Sequence, residues 1–144
     1  VSSGTGFDAI PVAFRRPVCF VNYAPLEYLN TWVANSIAIW KHHEKDGKRM
    51  TPQGIYESGA GQFMTADQFK AEGITLVDNS PQEILDAVSE MVSRLIAPNP
   101  CRSQAEESFW QQFPRAISPY NRRPLHGEIK MRIGSRFLEG YQSP

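Results

Sequence analysis

Val1-Ser2-Ser3-Gly4-Thr5-Gly6-Phe7-Asp8, with the run Pro17-Val18-Cys19-Phe20-Val21-Asn22-Tyr23 beyond it, decides how the fold is read. The first stretch is a glycine-rich loop leading into a short helix over residues 5–14. Gly4 and Gly6 permit positive φ and close approach of the backbone to a ligand. Exposed N–H groups in such a loop, with a helix dipole behind them, favour phosphate or another anion. The second stretch is an unbroken apolar run bounded by turn residues, the pattern of a buried parallel strand. Loop, helix and strand make the second half of a βαβ unit. In α/β proteins such a loop lies at the carboxyl end of a strand, where ligands bind. That strand is expected upstream of residue 1, so the chain reads as the C-terminal piece of a larger nucleotide-binding protein.

Composition narrows the function classes. The 144 residues suit about one domain, and 41% hydrophobic with 21% charged residues describe a globular chain. Lys and Arg number 15, as do Asp and Glu. A nucleic-acid partner would normally demand a basic excess, and none is present. Any anion site must therefore be local. Cys19 sits in an apolar run and reads as a small buried hydrophobe; with only Cys101 besides, neither a zinc cluster nor a disulfide framework is written. A reducing, cytoplasmic setting fits. No apolar run approaches the roughly 20 residues of a membrane span. The start lacks the features of a signal peptide, an absence that a truncated chain would show as well.

Further along, Thr5 and Asp8 form a capping pattern, Pro11 keeps the first helix short, and Arg15-Arg16-Pro17 ends it. Residues 24–35 read as irregular, and Ser36-Ile37-Ala38-Ile39-Trp40-Lys41 as a second strand. Lys41 to Arg49 reads as a solvated loop turning at Asp46-Gly47. Three helix starts come next, at Thr51-Pro52, at Thr65-Ala66-Asp67-Gln68 (with Gly73 as the stop) and at Ser80-Pro81-Gln82-Glu83. From the last of these, Ile84, Leu85, Val88, Met91, Val92, Leu95 and Ile96 keep the spacing of one buried face, ended by Pro98 and Pro100. Ile74 to Asp78 is a short strand. Ser103 with Glu106 opens a helix carrying Phe109, Trp110 and Phe113. Pro114, Pro119 and Pro124 punctuate the stretch after that helix, and Ile129, Met131, Ile133, Phe137 and Leu138 predict a terminal helix packing back on a neighbour. The fold class is α/β with few strands.

Ser3-Gly4-Thr5-Gly6-Phe7-Asp8-Ala9-Ile10-Pro11, Arg16-Pro17, Val21-Asn22, Thr51-Pro52, Asp78-Asn79-Ser80-Pro81-Gln82-Glu83-Ile84, Glu90-Met91 and Ile133-Gly134-Ser135-Arg136-Phe137-Leu138 carry a resemblance over nearly the whole chain. Together they resemble a bacterial family of GT-B-type glycosyltransferases associated with surface-polysaccharide gene clusters. The resemblance implies that residues 1–100 are an incomplete Rossmann-like nucleotide-sugar-binding domain, with 101–144 a helical tail packed on it. It implies a donor nucleotide-sugar bound here, and a glycan or lipid-linked acceptor held mostly by an N-terminal domain that this chain lacks. The work would be done in the cytoplasm, at or near the inner membrane surface, with no metal needed for the diphosphate. The general base usually comes from the missing half, so no catalytic residue is assigned and the chain alone should not transfer sugar. Gly54 departs from the Glu expected three residues after Thr51.

Each candidate residue has a functional and a structural reading. Ser2, Ser3, Gly4, Thr5 and Gly6 would cradle the donor diphosphate, or only form a capped tight turn. Asp8 would accept a bond from sugar or ribose, or complete the Thr5 cap. Asn22 and Tyr23 end a strand at its ligand-binding edge. Arg15 and Arg16 can grip phosphate or lie solvated at a helix end. His42 and His43 are adjacent, so on a strand they face opposite ways and would not chelate one ion together; a solvated loop suits them better. Glu83 belongs to a capping box, Glu90 is ambiguous, His126 has no evident partner, and Trp32, Trp40 and Trp110 read as core. Two other functions compete: a nucleotide-sugar epimerase of the same two-domain fold, and a non-catalytic interaction module in which the loop is only a turn.

Overall fold

The apolar run behind Pro17 forms β1 (Cys19–Tyr23), and the run behind Ser36 forms β2 (Ile37–Trp40). They pair in parallel, Cys19 opposite Ile37 and Phe20 opposite Ala38. The computed structural model describes residues 1–98, 101–114 and 127–141; the readings of Pro100, Pro119, Pro124 and His126 fall outside them. Ser2 adds a parallel bridge on the far side of β1, donating its N–H to Cys19 O (2.9 Å) and accepting from Val21 N–H (2.8 Å). The ladder expected to end before residue 1 therefore reaches Ser2.

Between Ser2 and β1 lies α1 (Ala9–Ala13), little more than one turn and with no buried side chain. Phe7, Ile10 and Phe14 are exposed around it. The Thr5–Asp8 cap does not form. Asp8 takes the N-cap position without a side-chain capping bond, because its carboxylate is engaged inside the loop.

Lys41 alone separates β2 from β3 (His42–Lys45), which turns through Asp46-Gly47 into β4 (Lys48–Arg49). Both turn residues have positive φ, 53° and 71°, as a tight two-residue hairpin requires. Residues 52–71 form α2 (Pro52–Glu57) and α3 (Ala66–Ala71), and β5 (Ile74–Val77) then pairs antiparallel with β3. The expected solvated loop is thus a small antiparallel sheet, ordered β4-β3-β5. Its exposed charges are concentrated at the hairpin end, whereas His42 and His43 at the other end are buried.

The helix starts form where the capping residues place them. Thr51 Oγ1 accepts from Gly54 N–H (3.2 Å), so the helix begins without a box Glu. Thr65 with Gln68 makes a full capping box, and so does Ser80 with Glu83 at the head of α4 (Pro81–Ile96). α4 turns Ile84, Ala87, Val88 and Met91 toward the core and leaves Leu85, Val92, Leu95 and Ile96 exposed. Its apolar stripe is wider than the face it buries, a departure from the single buried face expected.

α5 (Gln104–Gln112) has its Ser103 cap, but Glu106 does not complete the box. It accepts instead from Arg132 Nε (2.9 Å) and from Ile133 N–H (3.1 Å). Arg132 and Ile133 are β6 (Arg132–Ile133), parallel to β2, and α6 (Ser135–Glu139) comes after it. The expected terminal helix is therefore split: Met131 and Ile133 are buried on either side of a half-buried Arg132, and only the residues after Gly134 coil. The fold is mixed α/β with a parallel sheet of three strands, β1-β2-β6. Trp40, the last residue of the central strand, is stacked on Phe109 and edge-on to Phe137. Among the described residues, no helix is long and apolar enough to cross a membrane.

Glu106 is 1% exposed and ties α5 to β6 through Arg132. Removing one partner of a buried ion pair leaves the other uncompensated, a cost of about 3–5 kcal/mol. Urea unfolding of Glu106→Ala should show a loss of that order. A loss below about 1 kcal/mol would show that β6 is held by other contacts.

Candidate functional site

Ser2 fixes where the glycine-rich loop leaves the parallel sheet. Residues 3–7 are exposed beyond it, while Asp8 is buried. Asp8 Oδ1 accepts from Ser2 Oγ (3.2 Å) and from Gly6 N–H (3.1 Å), and Ser2 Oγ accepts from Gly4 N–H (3.2 Å). Two of the loop's N–H groups are therefore turned inward, not toward a ligand as expected. Those of Ser3, Thr5 and Phe7 make no hydrogen bond among the described residues, and the hydroxyls of Ser3 and Thr5 are exposed with them. Gly4 and Gly6 have φ of 76° and 91°. Gly4 also lies on the Tyr23 ring: a Cβ there would sit 3.0 Å from Cε2. Burial, with the Asp8 charge adding to it, pushes the Tyr23 hydroxyl up to about 12, so it stays protonated and donates to Tyr28 O (2.9 Å). α1 is too short to supply much dipole. Any anion here would be held by loop donors.

Asn22 adjoins the loop through Tyr23. It has a positive φ of 51°, a conformation asparagine tolerates better than most residues. A reciprocal pair of bonds offsets the strain: Asn22 N–H donates to Asn79 Oδ1 and Asn79 N–H donates to Asn22 Oδ1, both at 2.6 Å. Asn79 Nδ2 also donates to Trp40 O (2.8 Å). Lys41, whose N–H continues the ladder to Tyr23 O, pairs through Nζ with Asp78 at 2.7 Å. The ends of β1 and β2 and the head of α4 are thus tied at one edge of the sheet. Asn22 holds this edge, with its N–H and Oδ1 both taken up by Asn79. Arg15 and Arg16 are exposed at the end of α1.

His42 and His43 face opposite sides of β3, as adjacent strand residues must. The Tyr141 hydroxyl and His42 Nδ1 share a 2.8 Å hydrogen bond, and His42 Nε2 lies 2.9 Å from Glu83 Oε1. Burial raises the Glu83 pKa, but the Ser80 N–H and His42 outweigh it and hold the carboxyl below its usual range. This Glu83–His42–Tyr141 chain joins α4 and β3 to the turn after α6 and was not legible in the sequence, because its members are far apart along it. Glu90 accepts from Ser135 N–H (2.7 Å) and Oγ (2.9 Å), an anchor for α6. Glu27 is 2% exposed beside Gly61 and accepts from Gln62 Nε2 (2.8 Å); burial raises its pKa, and the Gln62 bond offsets only part of the rise. Trp40 and Trp110 are core residues, while Trp32 is 52% exposed.

A cavity of about 780 Å³ opens at the other edge of the parallel sheet, lined among others by Ser36, Ile37, Arg94, Arg102, Lys130 and Arg132. Its basic side chains are largely answered: Arg94 pairs with Glu90, Lys130 with Glu128 and Arg132 with Glu106. The cavity thus carries little unbalanced positive charge. Compared with known proteins, the chain matches no family model, no curated protein and no solved structure.

His43 gives the fold a measurable acid sensitivity. Its Nδ1 bonds Lys41 O (2.9 Å), so Nδ1 carries the proton, while Nε2 is buried beside Phe69 with no partner among the described residues. Burial lowers its pKa from 6.5 to about 4. The unfolded chain then takes up the proton first, so stability is lost as pH falls from about 6.5 toward 4. The loss between pH 7 and 5 should be on the order of 2 kcal/mol. Denaturant midpoints should show that fall in the wild type and a flatter profile in His43→Phe. Equal slopes would remove His43 as its cause.

Proposed function

We propose that this chain is the donor-binding portion of a GT-B-type glycosyltransferase, with a Rossmann-like core that holds the diphosphate of a nucleotide-sugar. The observation that carries the reading is the position of the glycine-rich loop. It leaves the parallel sheet directly after the Ser2 bridge, with Ser3 and Thr5 exposed and their N–H groups without a protein acceptor among the described residues. Such donors suit the charge that builds on a departing nucleoside diphosphate, and fixed donors lower a barrier without reorganising. Ser3, Gly4, Thr5 and Gly6 form the cradle; Ser2 and Asn22 hold it in place. The acceptor, a glycan or lipid-linked chain, and the catalytic base belong to a partner domain of the same enzyme. The setting is cytoplasmic, at or near the inner membrane surface.

Calorimetric titration of uridine, guanosine and cytidine diphosphates into the protein tests this. One nucleotide should bind, and Gly4→Val should abolish it, since the added side chain meets Tyr23 and strains a positive φ. Gly47→Val, at an equally left-handed but open turn, should leave binding intact while bearing similar backbone strain. Absence of binding to all three by a folded wild type would sink the reading.

A further inference from the structure

Asp8 is the loop's one buried member, at 7% exposure. Its Oδ1 receives the Gly6 N–H and the Ser2 hydroxyl, and that hydroxyl receives the Gly4 N–H. A carboxylate oxygen has lone pairs for both bonds. One negative charge therefore organises two of the loop's N–H groups, directly and through Ser2, on the side away from solvent. The two glycines so anchored alternate with Ser3, Thr5 and Phe7, whose N–H groups have no protein acceptor among the described residues. Anchoring Gly4 and Gly6 from beneath leaves the intervening donors facing outward.

We propose that Asp8 is a positioning residue that sets the loop for its ligand before the ligand arrives, and that it makes no contact with the ligand's sugar. The inference rests on the functional reading above, in that the ligand is a nucleoside diphosphate. Its physical content is separate. The carboxylate fills the inner side of the loop as an internal anion, so binding need not order the loop from scratch. The same charge also lies close to the incoming phosphates and opposes them. Shape and charge can be separated, because asparagine keeps the acceptor oxygen and drops the charge.

Two variants and two readouts test the role. In the ligand-free protein, Asp8→Asn should keep the Gly4 and Gly6 amide signals, with backbone ¹⁵N relaxation of an ordered loop. Asp8→Ala should move both signals and give them relaxation typical of a mobile segment. In titrations with the nucleoside diphosphate that binds the wild type, Asp8→Asn should bind several-fold more tightly and Asp8→Ala at least tenfold more weakly. The 2′-deoxy form of that nucleotide should lose equal affinity for the wild type and for Asp8→Asn. A contact to the ribose predicts the reverse: both variants weakened alike, and the penalty of the deoxy form confined to the wild type. That pattern, or amide signals unaltered in Asp8→Ala, overturns the proposal. If the wild type binds no nucleotide, the functional reading falls, and the amide signals alone decide the positioning role.

Discussion

The reciprocal bonds between Asn22 and Asn79 are the constraint on which the arrangement of the site depends. Each side-chain oxygen accepts the other's backbone N–H at 2.6 Å, and the remaining amide of Asn79 reaches Trp40 O. Three segments that are remote in sequence thereby end at one place. Without the pair, two N–H groups at a half-buried edge would lose their acceptors, and such groups are costly to leave unmade. Asn22 also adopts a left-handed conformation, and the contact compensates that local strain. The ring of Tyr23, next along, is the floor on which Gly4 rests. A substitution at Asn79 would thus be felt in a loop it does not touch.

Much of the fold was legible because capping chemistry is local. Thr51, Thr65 and Ser80 mark helix starts with a side chain that bonds its own neighbourhood, and the apolar runs at 18–23 and 37–40 are long enough to declare buried strands. The failures share one physical cause: a partner that the capping pattern does not count displaced the one it does, two and six residues away for Asp8 and twenty-six for Glu106. Asp8 gives up the Thr5 cap for Ser2 and Gly6. Glu106 gives up its capping box for Arg132. The charged stretch at 41–49 looked solvated because Lys45, Lys48 and Arg49 are so, while its two histidines are enclosed by Phe69, Phe137 and Tyr141.

The loop was legible as a turn beside the parallel sheet, and its hydrogen bonds were less so. Gly4 and Gly6, separated by one small residue, pointed to a loop at the end of a strand; the loop follows a single parallel bridge at Ser2. The sequence could not show which N–H groups turn inward, because that depends on where Asp8 points. Nor could it show that Asn22 is consumed by Asn79, fifty-seven residues away. In both cases a polar residue that looked available for a ligand is occupied by the protein itself. What is left for a ligand is a smaller, neutral set of donors.

The parallel sheet carries a consequence for the order of assembly. β2 is its central strand, yet one of its two neighbours, β6, comes from nearly the other end of the chain. Pairings that span so much sequence close slowly, since the loop entropy is lost before the contact forms. During synthesis, β2 must wait with one edge unpaired until Arg132 and Ile133 have emerged, and Trp40 waits with it for Phe137. The early chain therefore displays the strand edge and aromatic surface most prone to wrong association. Protection of the nascent protein is needed longest at the strand that, once folded, is the best buried of all.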